Sequence, residues 1–293
     1  MTRSVNFDQR TTPLFINQDT VSSNSQVMEA KKSLVNFFEG ICIGCMLPAH
    51  PVKRTLYRAV TSLLSTFAAL LLSIYQSTLE FHVEGENHLR ILRTLQKNHI
   101  VAIWHTFVDA AVFCLHHRNL CIYSDHPRTQ EYENSSVHFF REIGLKTLKA
   151  LGFDVLDASL GKQSAGIINF IKKIQSGTPA LVAPDGPHGP IYEAKPGVIY
   201  MAAKANSCVV PIGVGFSRRI VSSNWDDLSF PLPFSRVALV VGEPIEPSDD
   251  MSEASLARQA KALEETLDRL CFRANEILYG NHPKETTLPI TNT

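Results

Sequence analysis

The chain has 293 residues, of which 44% are hydrophobic and 19% charged, with 28 basic and 28 acidic side chains. That balance provides for one large domain with appendages, excludes global disorder and argues against bulk nucleic-acid binding, so no nucleic-acid partner is expected. Six scattered cysteines lack the rhythm of a small disulfide scaffold and suit a reducing compartment.

Residues 1–28 are rich in Thr, Ser, Asn and Gln, show no sustained period and read as a disordered leader; they lack the pattern of a secretory signal. Residues 29–78 carry two apolar runs, Leu34–His50 and Ala59–Tyr75, separated by Pro51, Lys53, Arg54 and Arg58. Each is short of the roughly 20 residues of a spanning helix. A transmembrane hairpin would also leave basic residues on both sides, against the positive-inside pattern. The expectation is a pair of helices immersed in one leaflet, with basic side chains at anionic head groups. The plain alternative is a pair of amphipathic core helices.

From residue 79 to 280, strands and helices alternate. Strands are predicted at Leu79–Gly85, His99–His105, Leu120–Asp125, about 153–158, Pro179–Pro184, Cys208–Phe216 and Ser235–Gly242. Helices are predicted at His88–Gln96, Phe107–His116, Ser135–Leu151, Gly166–Gln175, Gly197–Ala205 and Glu253–Tyr279. The fold class is therefore α/β, with a mostly parallel central sheet flanked by helices. The last helix sets Leu256, Leu263, Leu267, Leu270 and Leu278 on one face. Residues 281–293 read as a frayed tail.

Two constellations carry chemistry. His105 and Asp109 follow an apolar strand, where ligands of α/β sheets gather. A carboxylate beside an imidazole fixes its tautomer and stabilises its cation, which makes the histidine a general base. Alone, the spacing H-x-x-x-D is also met in helix starts without chemistry. The loop P-D-G-P-H-G-P, Pro184–Pro190, is more specific, because three prolines and two glycines in seven residues define one rigid turn. Backbone N–H groups near the next helix, with His188 and Lys195, suit a phosphate. Other signals are weaker. Cys42 and Cys45 form an isolated C-x-x-C, G-V-G-F at 213–216 lacks a third glycine, and neither H-E-x-x-H nor G-x-S-x-G occurs. No metal or redox cofactor is expected.

The order of the His/Asp block, the Pro184–Pro190 block and Val210–Ile212 resembles the glycerophospholipid acyltransferase superfamily. The closest likeness is to the bacterial branch with P-D-G-P-R-G-P followed by K-P-G-V, here Lys195–Val198. The resemblance implies transfer of a fatty acyl group from acyl-CoA or acyl-carrier protein to a hydroxyl of a lysophospholipid or related lipid. It implies membrane lipids, and acyl-carrier protein if that is the donor, as partners at the cytoplasmic face of the inner membrane. His105 would be the base and Asp109 its orienting partner. Asp185, Gly186, Pro187, His188, Gly189 and Lys195 would line the acceptor site, and Pro211 would shape its wall. Two positions depart from the family. The first block has three intervening residues rather than four, and the motif's arginine is His188, a residue charged only near or below pH ~6.5. Lys195 or Lys162 then stands as the replacement cation. A non-catalytic lipid-binding or scaffold member, and a hydrolase of acyl esters, are the alternatives.

Overall fold

The computed structural model describes residues 51–115, 118–124, 136–157, 163–186, 189–222, 227–280 and 286–289. Helix α1 spans Pro51–Ser77, followed by β1 (Glu80–Glu84), α2 (Glu86–Thr94) and β2 (His99–Ala102). A 3-10 turn, His105–Phe107, leads into α3 (Val108–Cys114). Then come β3 (Cys121–Ser124), α4 (Ser136–Ala150), β4 (Asp154–Asp157), α5 (Gln163–Gln175), β5 (Ala180–Val182) and α6 (Gly197–Lys204). The chain ends with β6 (Cys208–Phe216), β7 (Arg218–Val221), β8 (Ser229–Pro231), β9 (Arg236–Val241), α7 (Glu253–Tyr279) and β10 (Thr286–Pro289).

Seven strands form one sheet in the order β1-β9-β6-β2-β5-β3-β4. Five of its six pairings are parallel, and only β6–β9 is antiparallel, so β9 and β1 run against the other five. The α/β class and mostly parallel sheet expected from the sequence are present. β6 is buried along its whole length, as a central strand covered on both faces must be. Pro211 lies in it without a backbone donor. It is tolerated because the ladder to β2 ends at the pair Ala102–Pro211, and the ladder to β9 begins one residue later, at Ile212–Val241. Helix α7 lies directly on β6. A Cβ on Gly213 would stand 2.1 Å from the Leu270 backbone carbon, and one on Gly215 would stand 3.0 Å from that of Ala274. The G-V-G-F signal therefore serves helix–sheet packing.

Three differences from the sequence expectations have physical causes. β2 stops at Ala102, not His105, because the chain turns into the 3-10 segment after Trp104. Pro51 begins α1 rather than separating two runs. Its missing N–H and fixed φ suit a first helical turn, and α1 extends the expected Ala59–Tyr75 run at both ends. Beyond Gly280 the tail contributes β10, which joins β7 and β8 in a second, three-stranded sheet. Of the expected helix pair, α1 is present, and Leu34–His50 lies outside the described residues, as do Cys42 and Cys45.

Helix α1 is long and apolar enough over Thr55–Ser77 to cross a membrane, although most of that stretch faces outward. Its packing is inverted relative to a water-facing helix. Thr61, Ser65 and Ala69 are buried, whereas Leu63, Phe67, Leu70, Leu71 and Ile74 are exposed. The buried hydroxyls are satisfied within the helix: Thr61 donates to the Tyr57 carbonyl at 3.0 Å and Ser65 to the Ser62 carbonyl at 2.8 Å. The inner face packs on α4, with Tyr57 against Phe139 and Thr147 donating to the Ser65 carbonyl.

Candidate active site

The site follows from strand register. β2 and β5 are parallel neighbours with Ala102 opposite Val182. His105 and Asp185 each lie three residues beyond that pair, so the two loops leave the sheet side by side. The Ile103 amide continues the ladder by donating to the Val182 carbonyl at 3.2 Å. The Asp185 side chain is fully buried and accepts from the His105 amide, 3.1 Å to Oδ1 and 3.4 Å to Oδ2. It also accepts from the Tyr192 amide at 3.5 Å. Burial pushes the Asp185 carboxyl above its ordinary range, against the opposing pull of the His105 amide, its own and that of Tyr192, and of the His105 charge.

The loop's first turn is closed by the Gly186 amide donating to the Ala183 carbonyl at 3.1 Å. Gly186 has φ +67°, which favours glycine, and Gly189 is likewise left-handed and buried. Lys195 is tied back by its amide to the Pro184 carbonyl at 2.9 Å. Its ammonium lies over Gly186, 3.2 Å from where a Cβ would stand. Among the described residues Lys195 forms no ion pair. Its charge is thus held against the turn. Pro187, His188 and Lys162 lie outside the described residues.

His105 opens the 3-10 turn and is half-buried. Asp109 sits in the first turn of α3, where the positive helix end favours a carboxylate. Asp109 is close enough to Tyr75 of α1 for its charge to act there, and Tyr75 packs on Phe113 of α3 at 5.4 Å. Pro211 forms part of the sheet floor beside Ala102 rather than the loop rim.

The sequence did not single out four residues that complete this end of the sheet. Trp104 is buried, donates from Nε1 to Asp268 of α7 at 3.2 Å and meets the Tyr192 ring edge-on at 5.7 Å. Burial pushes the Asp268 carboxyl up, partly offset by the indole donor. Tyr192, at φ +60°, brings its hydroxyl beside that of Thr106. Thr106 is fully buried and donates to the Asp227 carbonyl, which also accepts from Ser229 at 2.9 Å. A non-glycine residue with positive φ beside a proline-rich loop leaves no sequence pattern, and Thr106 reads as a spacer. Trp225 and Asp226, in the same loop as Asp227, lie outside the described residues.

Among the described residues, no cluster of three His, Cys, Asp or Glu side chains is disposed to hold a metal ion. A polar cleft of about 320 Å³ bounded by Lys204, Ser207, Glu246 and Asp249 lies where β6 begins, at the opposite end of the parallel strands from His105.

No family model matches the chain. An uncharacterized protein of Rickettsia prowazekii (strain Madrid E), RP090, is 30% identical to it over 175 residues, which cover 58% of this chain and 75% of that protein. Among solved structures, the crystal structure of PlsC, the 1-acyl-sn-glycerophosphate (LPA) acyltransferase of Thermotoga maritima, aligns over 81% of this chain and 89% of its own. Its TM-score is 0.41 at 15% identity.

Proposed function

We propose that this chain, which belongs to the family of the uncharacterized Rickettsia prowazekii protein, is an O-acyltransferase working at a membrane surface. The observation that carries the reading is the bond from the His105 amide to the Asp185 carboxylate. It joins the two blocks of sequence that carry chemistry at the carboxyl end of adjacent parallel strands. The substrates would be a fatty acyl thioester, on CoA or acyl-carrier protein, and a hydroxyl of a lysophospholipid or related lipid. The exposed apolar stripe of α1 supports the membrane surface as the workplace.

In this mechanism the His105 imidazole takes the proton of the acceptor hydroxyl as its oxygen bonds to the thioester carbonyl carbon. The carbonyl electrons move to oxygen, then return as the C–S bond breaks, and the imidazolium gives its proton to the departing thiolate. Asp109 orients the imidazole for that transfer. Asp185 acts through the backbone, fixing where His105 starts its turn. Lys195, lying over Gly186, supplies the cation for a phosphate on the acceptor or donor.

The test is purified protein given labelled acyl-CoA or acyl-carrier protein and a panel of lysolipids, beside His105→Ala. The expected result is transfer that falls at least a hundredfold in the variant. Equal turnover in both would overturn the mechanism. Lipid binding without transfer in the native protein would favour the scaffold reading, and release of free fatty acid without an acceptor would favour a hydrolase.

A further inference from the structure

The turn between β8 and β9, Leu232–Ser235, departs from its own chemistry. The Ser235 amide donates to the Leu232 carbonyl at 3.2 Å, which closes a four-residue turn. Pro233 occupies the second position, and the third has a positive φ of 59°. That pattern calls for glycine at the third position. The chain has Phe234 there, and its side chain is 79% exposed. A bulky aromatic residue in a left-handed conformation, pointing into water, is unfavourable on both counts. The turn is braced by Arg218, whose guanidinium donates to the Pro233 carbonyl at 2.9 Å and the Phe234 carbonyl at 3.1 Å.

The surroundings identify what would reverse the cost. The hydroxyl of Tyr75, next in sequence to Ile74 of the apolar stripe, donates to the Pro231 carbonyl, so α1 abuts this turn. Phe230 is exposed on β8. Arg218 and Arg236 flank the turn and are both exposed, Arg236 donating from one guanidinium nitrogen to the Leu278 carbonyl at 2.9 Å, with Glu80 opposite Arg236 on β1. An aromatic tip fringed by guanidinium groups matches the boundary between acyl chains and anionic head groups.

We propose that the Phe234 turn is a second membrane contact, separate from α1, which inserts its ring at the head-group boundary of an anionic bilayer while Arg218 and Arg236 meet lipid phosphates. It rests on the reading of the chain as a membrane-surface protein. Its other end bears on the site, because Asp227, just before β8, holds Thr106 next to His105. Docking at Phe234 would orient the His105 end of the sheet toward the lipid.

The experiment uses the full chain with phosphatidylcholine vesicles, with and without 30% phosphatidylglycerol (roughly the charge density at which basic segments engage a bilayer), and compares Phe234→Gly and Phe234→Trp with the native protein. Phe234→Gly is expected to unfold at the same or a higher temperature, because glycine suits the turn, yet to bind anionic vesicles about fivefold or more weakly. A purely structural Phe234 would show the reverse. Phe234→Trp is expected to keep binding and to shift its emission to the blue, with quenching by brominated lipid. If the native protein binds vesicles and Phe234→Gly binds equally well, this proposal is overturned and the membrane reading stands. If the native protein does not bind vesicles, both fall. Emission from the introduced indole of Phe234→Trp that is already blue-shifted without lipid would mean that residues 1–50 or a second copy cover the turn, and would also overturn the proposal.

Discussion

The amide of His105 and the carboxylate of Asp185 stand 3.1 Å apart across the carboxyl ends of β2 and β5. Asp185 therefore works as a backbone bracket. Asp185→Asn keeps the shape but can present an amide donor to the His105 N–H. Losing one charge-assisted bond costs ~1.5–3 kcal/mol, so the variant is expected to unfold earlier and to transfer acyl groups at least tenfold more slowly. Denaturant unfolding and steady-state turnover on the same preparation check this.

Asp185 also sets a pH dependence. Its folded-state pKa is raised above an ordinary value of 3.8, so in the window between the two the native state binds more protons than the unfolded chain. The neutral form's contribution is fully present below pH 3.8 and is lost as pH rises through the raised value. Native protein should therefore show a falling contribution across that acidic window that Asp185→Asn lacks. Comparing the two proteins isolates it from Asp268, which shifts in the same direction. Parallel stability curves from about pH 3.5 to 7 would refute it.

Gly186→Ala would push a methyl group to 3.2 Å from the Lys195 ammonium and strain a φ of +67°. The lysine tip yields easily, so the fold should lose only ~1 kcal/mol. The KM for a phosphate-bearing acceptor should rise several-fold with kcat less changed, and Lys195→Met should behave alike. Kinetics on acceptors with and without phosphate separate this from a general loss of activity.

Gly213→Ala has no such outlet, because its Cβ meets the Leu270 and Cys271 backbone at 2.1 and 2.4 Å. Overpacking against a helix backbone costs ~1–3 kcal/mol or more. A lowered unfolding midpoint, or insoluble protein, is the expected outcome.

Leu63→Ser combined with Phe67→Ser alters two exposed residues of α1 and leaves its contacts with α4 intact. The variant should fold normally and float with vesicles more than tenfold less, since each side chain gains ~1.5–3 kcal/mol on leaving water. Unchanged flotation would remove α1 from the membrane surface.

Much of this architecture is legible in the sequence because it is written locally. Glu253–Tyr279 is bounded correctly because Ser252 caps it, accepting from the Ser255 amide, and a leucine period runs through it. β6 is bounded correctly as an unbroken apolar run. The reversal of β1 and β9 is not legible, since it depends on the pairing of Glu80–Glu84 with Arg236–Val241, far apart in the chain. β7 and β8 are short and of mixed polarity, so no period marks them. At the site, the rigidity of Pro184–Pro190 marked Asp185, but its partner is a backbone amide, which no side-chain pattern encodes. Tyr192, Trp104 and Asp268 meet through folding alone.

The position of β1 also has a consequence for synthesis. Among the described residues it is an edge strand whose one neighbour, β9, is made near the end of the chain. Helix α1, directly ahead of β1, thus leaves the ribosome long before its strand has anywhere to dock. During that interval α1 has no completed sheet behind it, and a nearby bilayer is the natural shelter for its exposed leucines and phenylalanine. The order of events on the ribosome then favours membrane first and completed sheet second.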